Sequence, residues 1–236
     1  MVTLSPSGTY GWQISNADIV LEAFDRIGIR GPAITDAHMQ SVGRSFNYEM
    51  QTAANRGVTL FSVQQGTPIT LVQGTATYSL PANCVQMLDT YYSIPNGDGT
   101  YTDRIMLPMT RTDYAQIPNK ATQAPPNRYW FQRTLAPQVT TWQVYDGSSP
   151  GALMNYFFLS QFQDVDIVGS EGPDLVNRFL EAITQGVTAR LAQKWARPLF
   201  EIEAGLAKAA WDEAASEDRE QGPLRISPNF SRYNRR

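Results

Sequence analysis

The chain has 236 residues, 42% of them hydrophobic and only 17% charged, with a formal net charge of −3. That describes one large folded domain or two small ones, with less charge than the quarter to a third or so that covers a freely soluble monomer; buried subunit contacts or an uncharged polar surface would account for the shortfall. An acidic body argues against a dedicated nucleic-acid binder, and a single cysteine, Cys84, excludes an internal disulfide and reads as a small buried hydrophobe near a strand.

No apolar stretch approaches the roughly 20 residues that cross a bilayer. Met1 to Gln13 lacks the basic and apolar regions of a signal peptide. We therefore expect an intracellular protein, or one entering a particle assembled there, with no membrane partner.

The elements run helices, strands, helices. Ser15-Asn16-Ala17-Asp18 reads as a capping box with Asp in the place of Glu or Gln. Ile19, Val20, Ala23, Phe24 and Ile27 follow at helical spacing, with Gly28 as the stop. Thr35 caps a second helix, whose stripe Met39, Val42, Phe46, Met50, Ala53 lies within about 80° of arc. Asn55-Arg56-Gly57 ends it.

From Val58 to Val168 the pattern turns β-rich. Strands are expected at 58–63, 69–72, 76–80, 84–94, 128–133, 140–145 and 154–162, with a turn at Pro95-Asn96-Gly97-Asp98-Gly99 and a short helix at 110–117. Such short strands suggest a sandwich or small barrel. Helix returns at Pro173 as a first helical residue, with the stripe Val176, Phe179, Ile183, Val187, Leu191, Trp195, and Arg197-Pro198 separates it from the last helix.

That last helix is apolar on two faces. Leu199, Ile202, Leu206, Ala209 and Ala210 form one, expected to pack in the chain's own bundle. Phe200, Ala204, Ala207 and Trp211 form the other, about 120° away; it meets either a fourth helix of the same chain or, as the candidate contact, a neighbouring subunit. Beyond it, Gln221 to Arg236 carries Arg225, Arg232, Arg235 and Arg236 without Asp, Glu or Lys, and its large apolar residues, Ile226, Phe230 and Tyr233 among them, stand apart. Such a segment cannot build a core and reads as an extended arm.

No catalytic constellation is visible. His38 is the sole histidine and reads as a capping or surface residue, so no Ser-His-Asp or Cys-His set exists. Metal clusters of Cys and His, phosphate loops and dinucleotide loops are absent. Asp164 and Asp166 read as a solvated strand end, with cation binding as the sharper alternative. Tyr129, Trp130 and Phe131 between Arg128 and Arg133 could stack on bases, but more simply fill a core. No enzyme activity, cofactor or metal is expected.

The layout resembles the head-to-tail adaptor (connector, or tail tubular) proteins of short-tailed bacteriophages. The resemblance rests on the helix pair Asn16 to Arg56, the Tyr78-Ser79-Leu80-Pro81 turn, the strand start Pro126-Asn127-Arg128-Tyr129-Trp130, and the helix pair Pro173 to Ser216 with Leu191-Ala192-Gln193-Lys194-Trp195. It implies an α+β fold, with a helical bundle from both chain ends (14–57 and 172–216), a central β-sandwich-like domain (58–168) and a C-terminal arm (217–236). It implies a structural virion protein of the neck, forming a ring commonly of twelve copies. The portal, the tail nozzle or tail fibre proteins, and genomic DNA passing through the lumen would be its partners. The arm would dock on the portal through Arg225, Ile226, Phe230, Arg232, Tyr233, Arg235 and Arg236. The alternatives are a tail-tube or nozzle subunit of the same particle, and a nucleic-acid-binding module that uses the basic arm.

Overall fold

The computed structural model describes residues 12–56, 60–169 and 171–218. Helix α1 (Asn16–Arg26) opens on the expected capping box: the Asp18 amide donates to Ser15 Oγ at 3.1 Å, and the Ser15 amide to the Asp18 carboxylate at 3.4 Å. It closes with Gly28 in the left-handed region (φ +81°), the Gly28 amide donating to the Asp25 carbonyl and the Ile29 amide to the Phe24 carbonyl, both at 2.9 Å. That pair of bonds is a Schellman motif, which only glycine enters without strain. Helix α2 (Asp36–Ala54) is capped by Thr35, with His38 in the position usually held by glutamate: His38 Nδ1 accepts from the Thr35 amide at 3.2 Å. The lone histidine thus caps a helix, and its ring packs edge-on against Trp195 at 4.7 Å.

The expected strand at 58–63 gives way to a 3-10 turn over Leu60–Ser62. Phe61 explains it. Its ring stacks on Phe162 at 5.5 Å and meets Phe179 at 5.2 Å, which ties this segment to the helical core and delays pairing until Val63.

Eight strands follow, with one helix among them. They are β1 (Val63–Gln65), β2 (Ile69–Thr70), β3 (Thr77–Ser79), β4 (Cys84–Pro95), β5 (Tyr101–Pro108), β6 (Arg128–Gln132), β7 (Gln138–Trp142) and β8 (Leu153–Ser160), with α3 (Arg111–Ala115) after β5. β5 was not expected, because Asp103 and Arg104 interrupt its apolar pattern. The turn before it makes the strand: Gly97 and Gly99 take positive φ, and β5 then pairs antiparallel with β4 from Tyr101 to Met106.

The strands form one mixed sheet in the order β1-β8-β4-β5-β6-β7-β3, with β2 on β8. Its two halves join through a short parallel ladder, Leu107 with Arg128 and Pro108 with Tyr129. Buried side chains from both halves, including Tyr92, Met106, Tyr129, Val139, Tyr156 and Phe158, share one core, so the sheet curls around it.

Cys84 lies in this core, where burial pushes its thiol from 9.0 to about 11. Burial also raises the phenols of Tyr92, Tyr129 and Tyr156. A group that holds its proton more tightly when folded contributes stability that is whole below its unfolded pKa and is lost as pH rises through the folded one. The sheet is therefore expected to weaken between about pH 9 and 11. Cys84 should alkylate roughly 100-fold more slowly in the native chain than in denaturant at pH 8, the ratio of thiolate set by two pKa units. Equal rates would show that the thiol is not buried.

Helix α4 (Leu180–Trp195) begins later than the expected Pro173, after a 3-10 turn at Asn177–Phe179. Residues 173–175 turn instead, with the Leu175 amide donating to the Pro173 carbonyl and Asp174 accepting from the Gln163 amide, which ties this segment to the exit of β8. Pro198 sits in the 3-10 turn that leads into α5 (Phe200–Glu217). α4 packs against α1, α2 and α5, and Phe24, Phe46, Phe179, Ile183, Leu191 and Trp211 belong to the core they share. Just past α5, Asp218 is buried: it accepts from the Leu60 amide at 2.7 Å and pairs with Arg178 at 3.3 Å, fastening the helix end to the entry of the sheet.

Candidate functional site

α5 has the two apolar faces expected, but the face expected to pack internally is the more exposed of the two. Ala207 and Trp211 are buried within the chain, Trp211 against Phe179 at 5.0 Å and beneath the Arg56 guanidinium at 4.7 Å. Phe200 and Ala204 are half-buried beside them. The face expected to be internal carries the exposed residues: Leu199 at 36%, Ile202 at 61% and Leu206 at 47%. Trp211 decides the orientation. It is the largest side chain on the helix, and turning it inward swings Ile202 and Leu206 out to solvent.

Phe200, Ala204, Ala207 and Trp211 do not simply vanish into the core. They form one wall of an open groove of about 800 Å³ between α5, α4 and the end of α2. Its floor includes Gly186 and Ala189, and Lys208 and Asp212 stand at its lip. The far wall is a charged knot: the buried Glu49 carboxylate accepts from Arg56 Nη2 at 3.0 Å and from Arg190 Nε at 2.6 Å. Arg190 also donates to Thr52 Oγ1 at 2.8 Å. Gly186 makes room for it, since a Cβ there would lie 2.5 Å from Glu49 Oε1.

The remaining candidates resolve differently. Arg225, Ile226, Phe230, Arg232, Tyr233, Arg235 and Arg236 lie outside the described residues. Asp166 is tied into the strand exit, its carbonyl accepting from Asn16 Nδ2 and its carboxylate from the Val168 amide, both at 2.9 Å. Among the described residues no group of three or more His, Cys, Asp or Glu could hold a metal ion, and no helix is long and apolar enough to cross a membrane.

The aromatic strand is spent internally. Tyr129 donates to the Leu88 carbonyl at 2.7 Å, Trp130 stacks on Tyr114 at 5.1 Å, and Arg128 lies over Trp142 at 5.9 Å. The outward face of β5, with Tyr101, Ile105 and Leu107 exposed, was missed. Their alternation with Thr102, Arg104 and Met106 was the available signal, and the charges masked it.

A helical core beside a curled sheet, with apolar surface left over on a helix and a sheet, describes a protein built for assembly. Residues 20–227 match the family model described as SU10 adaptor protein, and the chain belongs to that family. It is a phage head-to-tail adaptor, a structural protein of the tail/neck region of the virion. None of the curated proteins matches it. Among solved structures, a chain of the "Neck of empty GTA particle computed with C6 symmetry" is 12% identical over 75% of this chain and 80% of its own, with a TM-score of 0.29, a likeness too slight to argue from.

Proposed function

We propose that the protein forms a ring between the portal and the tail nozzle, commonly of twelve copies in adaptors of this kind, and that its lumen is part of the DNA channel. The observation that carries this reading is the ridge Leu199, Ile202, Leu206, exposed on a helix whose opposite side is built into the core. A helix apolar all round is buried all round, and contiguous exposed apolar surface marks an interaction site. Membership of the adaptor family supports portal and tail components as partners.

In this reading the helices of 14–57 and 172–216 stand side by side around the ring. The sheet of 58–168 faces the nozzle or tail fibre proteins, and the exposed face of β5 supports that contact. The arm, 217–236 by composition, reaches the portal from the latched Asp218. Arg225, Arg232, Arg235 and Arg236 pair with portal carboxylates in two-pronged hydrogen bonds. Ile226, Phe230 and Tyr233 fill pockets, and repetition around the ring turns modest contacts into avidity. A net charge of −3 suits a wall past which phosphate must slide. The work is assembly, without turnover.

The test mixes the full chain, and a chain ending after Asp218, with the portal ring of the same phage, and images the products. The cut spares Asp218 because it holds Leu60 and Arg178. The full chain is expected to add a ring to the portal, and the shortened chain to bind at least ~10-fold more weakly. Equal binding would remove the arm from the account.

A further inference from the structure

We propose that the lateral contact of the ring is α5 against α5: the ridge Leu199, Ile202, Leu206 of one copy seats in the groove walled by Phe200, Ala204 and Trp211 of the next. This rests on the ring reading above and names its mating surfaces.

Direction is the first argument. At about 100° per residue, the ridge and the groove wall of Phe200, Ala204 and Trp211 lie roughly 150° apart around the same helix. A two-fold dimer needs one patch that is complementary to itself. Two different patches on nearly opposite sides of one element make a head-to-tail contact, the kind that builds a ring when the rotation between copies closes.

Size is the second. Leu199 to Leu206 spans about 10 Å of helix, and the groove wall from Phe200 to Ala215 about 22 Å. The groove, about 800 Å³, has room for three aliphatic side chains. Ala204 and Ala207 keep that wall low, which lets a second helix come close.

Charge is the third. Glu203, Glu213 and Glu217 border the ridge, all acidic. The groove carries Arg56, Arg190 and Lys208 against Glu49 and Asp212, three positive charges to two negative. Glu49 is already satisfied by Arg56 and Arg190. Lys208 and Asp212 stand one turn apart at the lip, so the surplus positive charge is that of the two arginines on Glu49, and with Lys208 exposed beside them it faces the glutamates of the incoming ridge. With α5 standing along the ring axis, symmetry keeps equal heights together, so Leu206 enters between Ala204 and Lys208 of the next copy.

Two variants of the full chain, each assembled on the portal ring, test this. Ile202→Asp alters a side chain that is 61% exposed, so the isolated chain is expected to keep its fold by circular dichroism. Ring formation should fall at least ~10-fold. In the second, a photo-crosslinking phenylalanine replaces Lys208, and isotope-mixed chains report which peptide it captures. The expected product joins position 208 to residues 199–206 of another copy. Normal rings from Ile202→Asp would overturn the proposal. So would rings in which position 208 captures the arm, the portal or nothing, and these outcomes leave the ring reading intact. Failure of the unaltered chain to form any ring on the portal would sink that reading, and this contact with it.

Discussion

Replacing Glu49 with alanine is expected to cost about 3 kcal/mol of folding stability, the low end of what removing one partner of a buried ion pair costs. The Glu49 side chain is 4% exposed and serves two guanidiniums, those of Arg56 and Arg190. Alanine would leave both cations without the carboxylate they share. Each arginine keeps 30% of its side-chain exposure, so water offsets part of the loss, which places the effect at the low end. Glu49→Gln retains shape and one acceptor and should cost less, about 1–2 kcal/mol. Urea unfolding at neutral pH measures both. A loss below about 1 kcal/mol for the alanine variant would mean that the knot is solvated.

The second large effect is expected in the sheet. A Cβ on Gly66 would lie 2.1 Å from Tyr156 Cζ and 2.3 Å from its Cε2. The obstacle is a rigid ring, 1% exposed, in the core of the sheet. The backbone has no freedom to retreat, because the Gly66 amide donates to the Tyr156 carbonyl at 2.9 Å. Gly66→Ala must therefore part β1 and β2 from β8 or turn the ring out of its site, at about 3 kcal/mol. A double-mutant cycle isolates the cause. In a Tyr156→Leu background most of the Gly66→Ala penalty should vanish. A penalty of the same size in both backgrounds would place the strain elsewhere.

Much of this architecture was legible where local chemistry decides. Ser15 with Asp18, Thr35, Gly28 and Pro198 mark helix boundaries through hydrogen bonds and dihedrals that need no distant partner. The stripes Val42, Phe46, Met50 and Phe179, Ile183, Val187 show in the sequence the faces they bury. Distant partners defeated the reading elsewhere. Phe61 leaves its strand for Phe162 and Phe179, and β5 exists because a glycine turn brings it to β4.

The candidate site was half legible for the same reason. Periodicity identified two apolar faces on α5 but could not rank them, since the ranking depends on Phe179 and Arg56 receiving Trp211. The groove was not legible. It is built from Glu49, Gly186, Arg190 and Trp211, on three helices, and nothing in their local sequence brings them together.

The most direct measurement is an image of the portal-bound neck at a resolution that traces α5. The account predicts a closed ring in which Leu199, Ile202 and Leu206 of every copy are covered by its neighbour. A closed ring with those three residues open to solvent would contradict it.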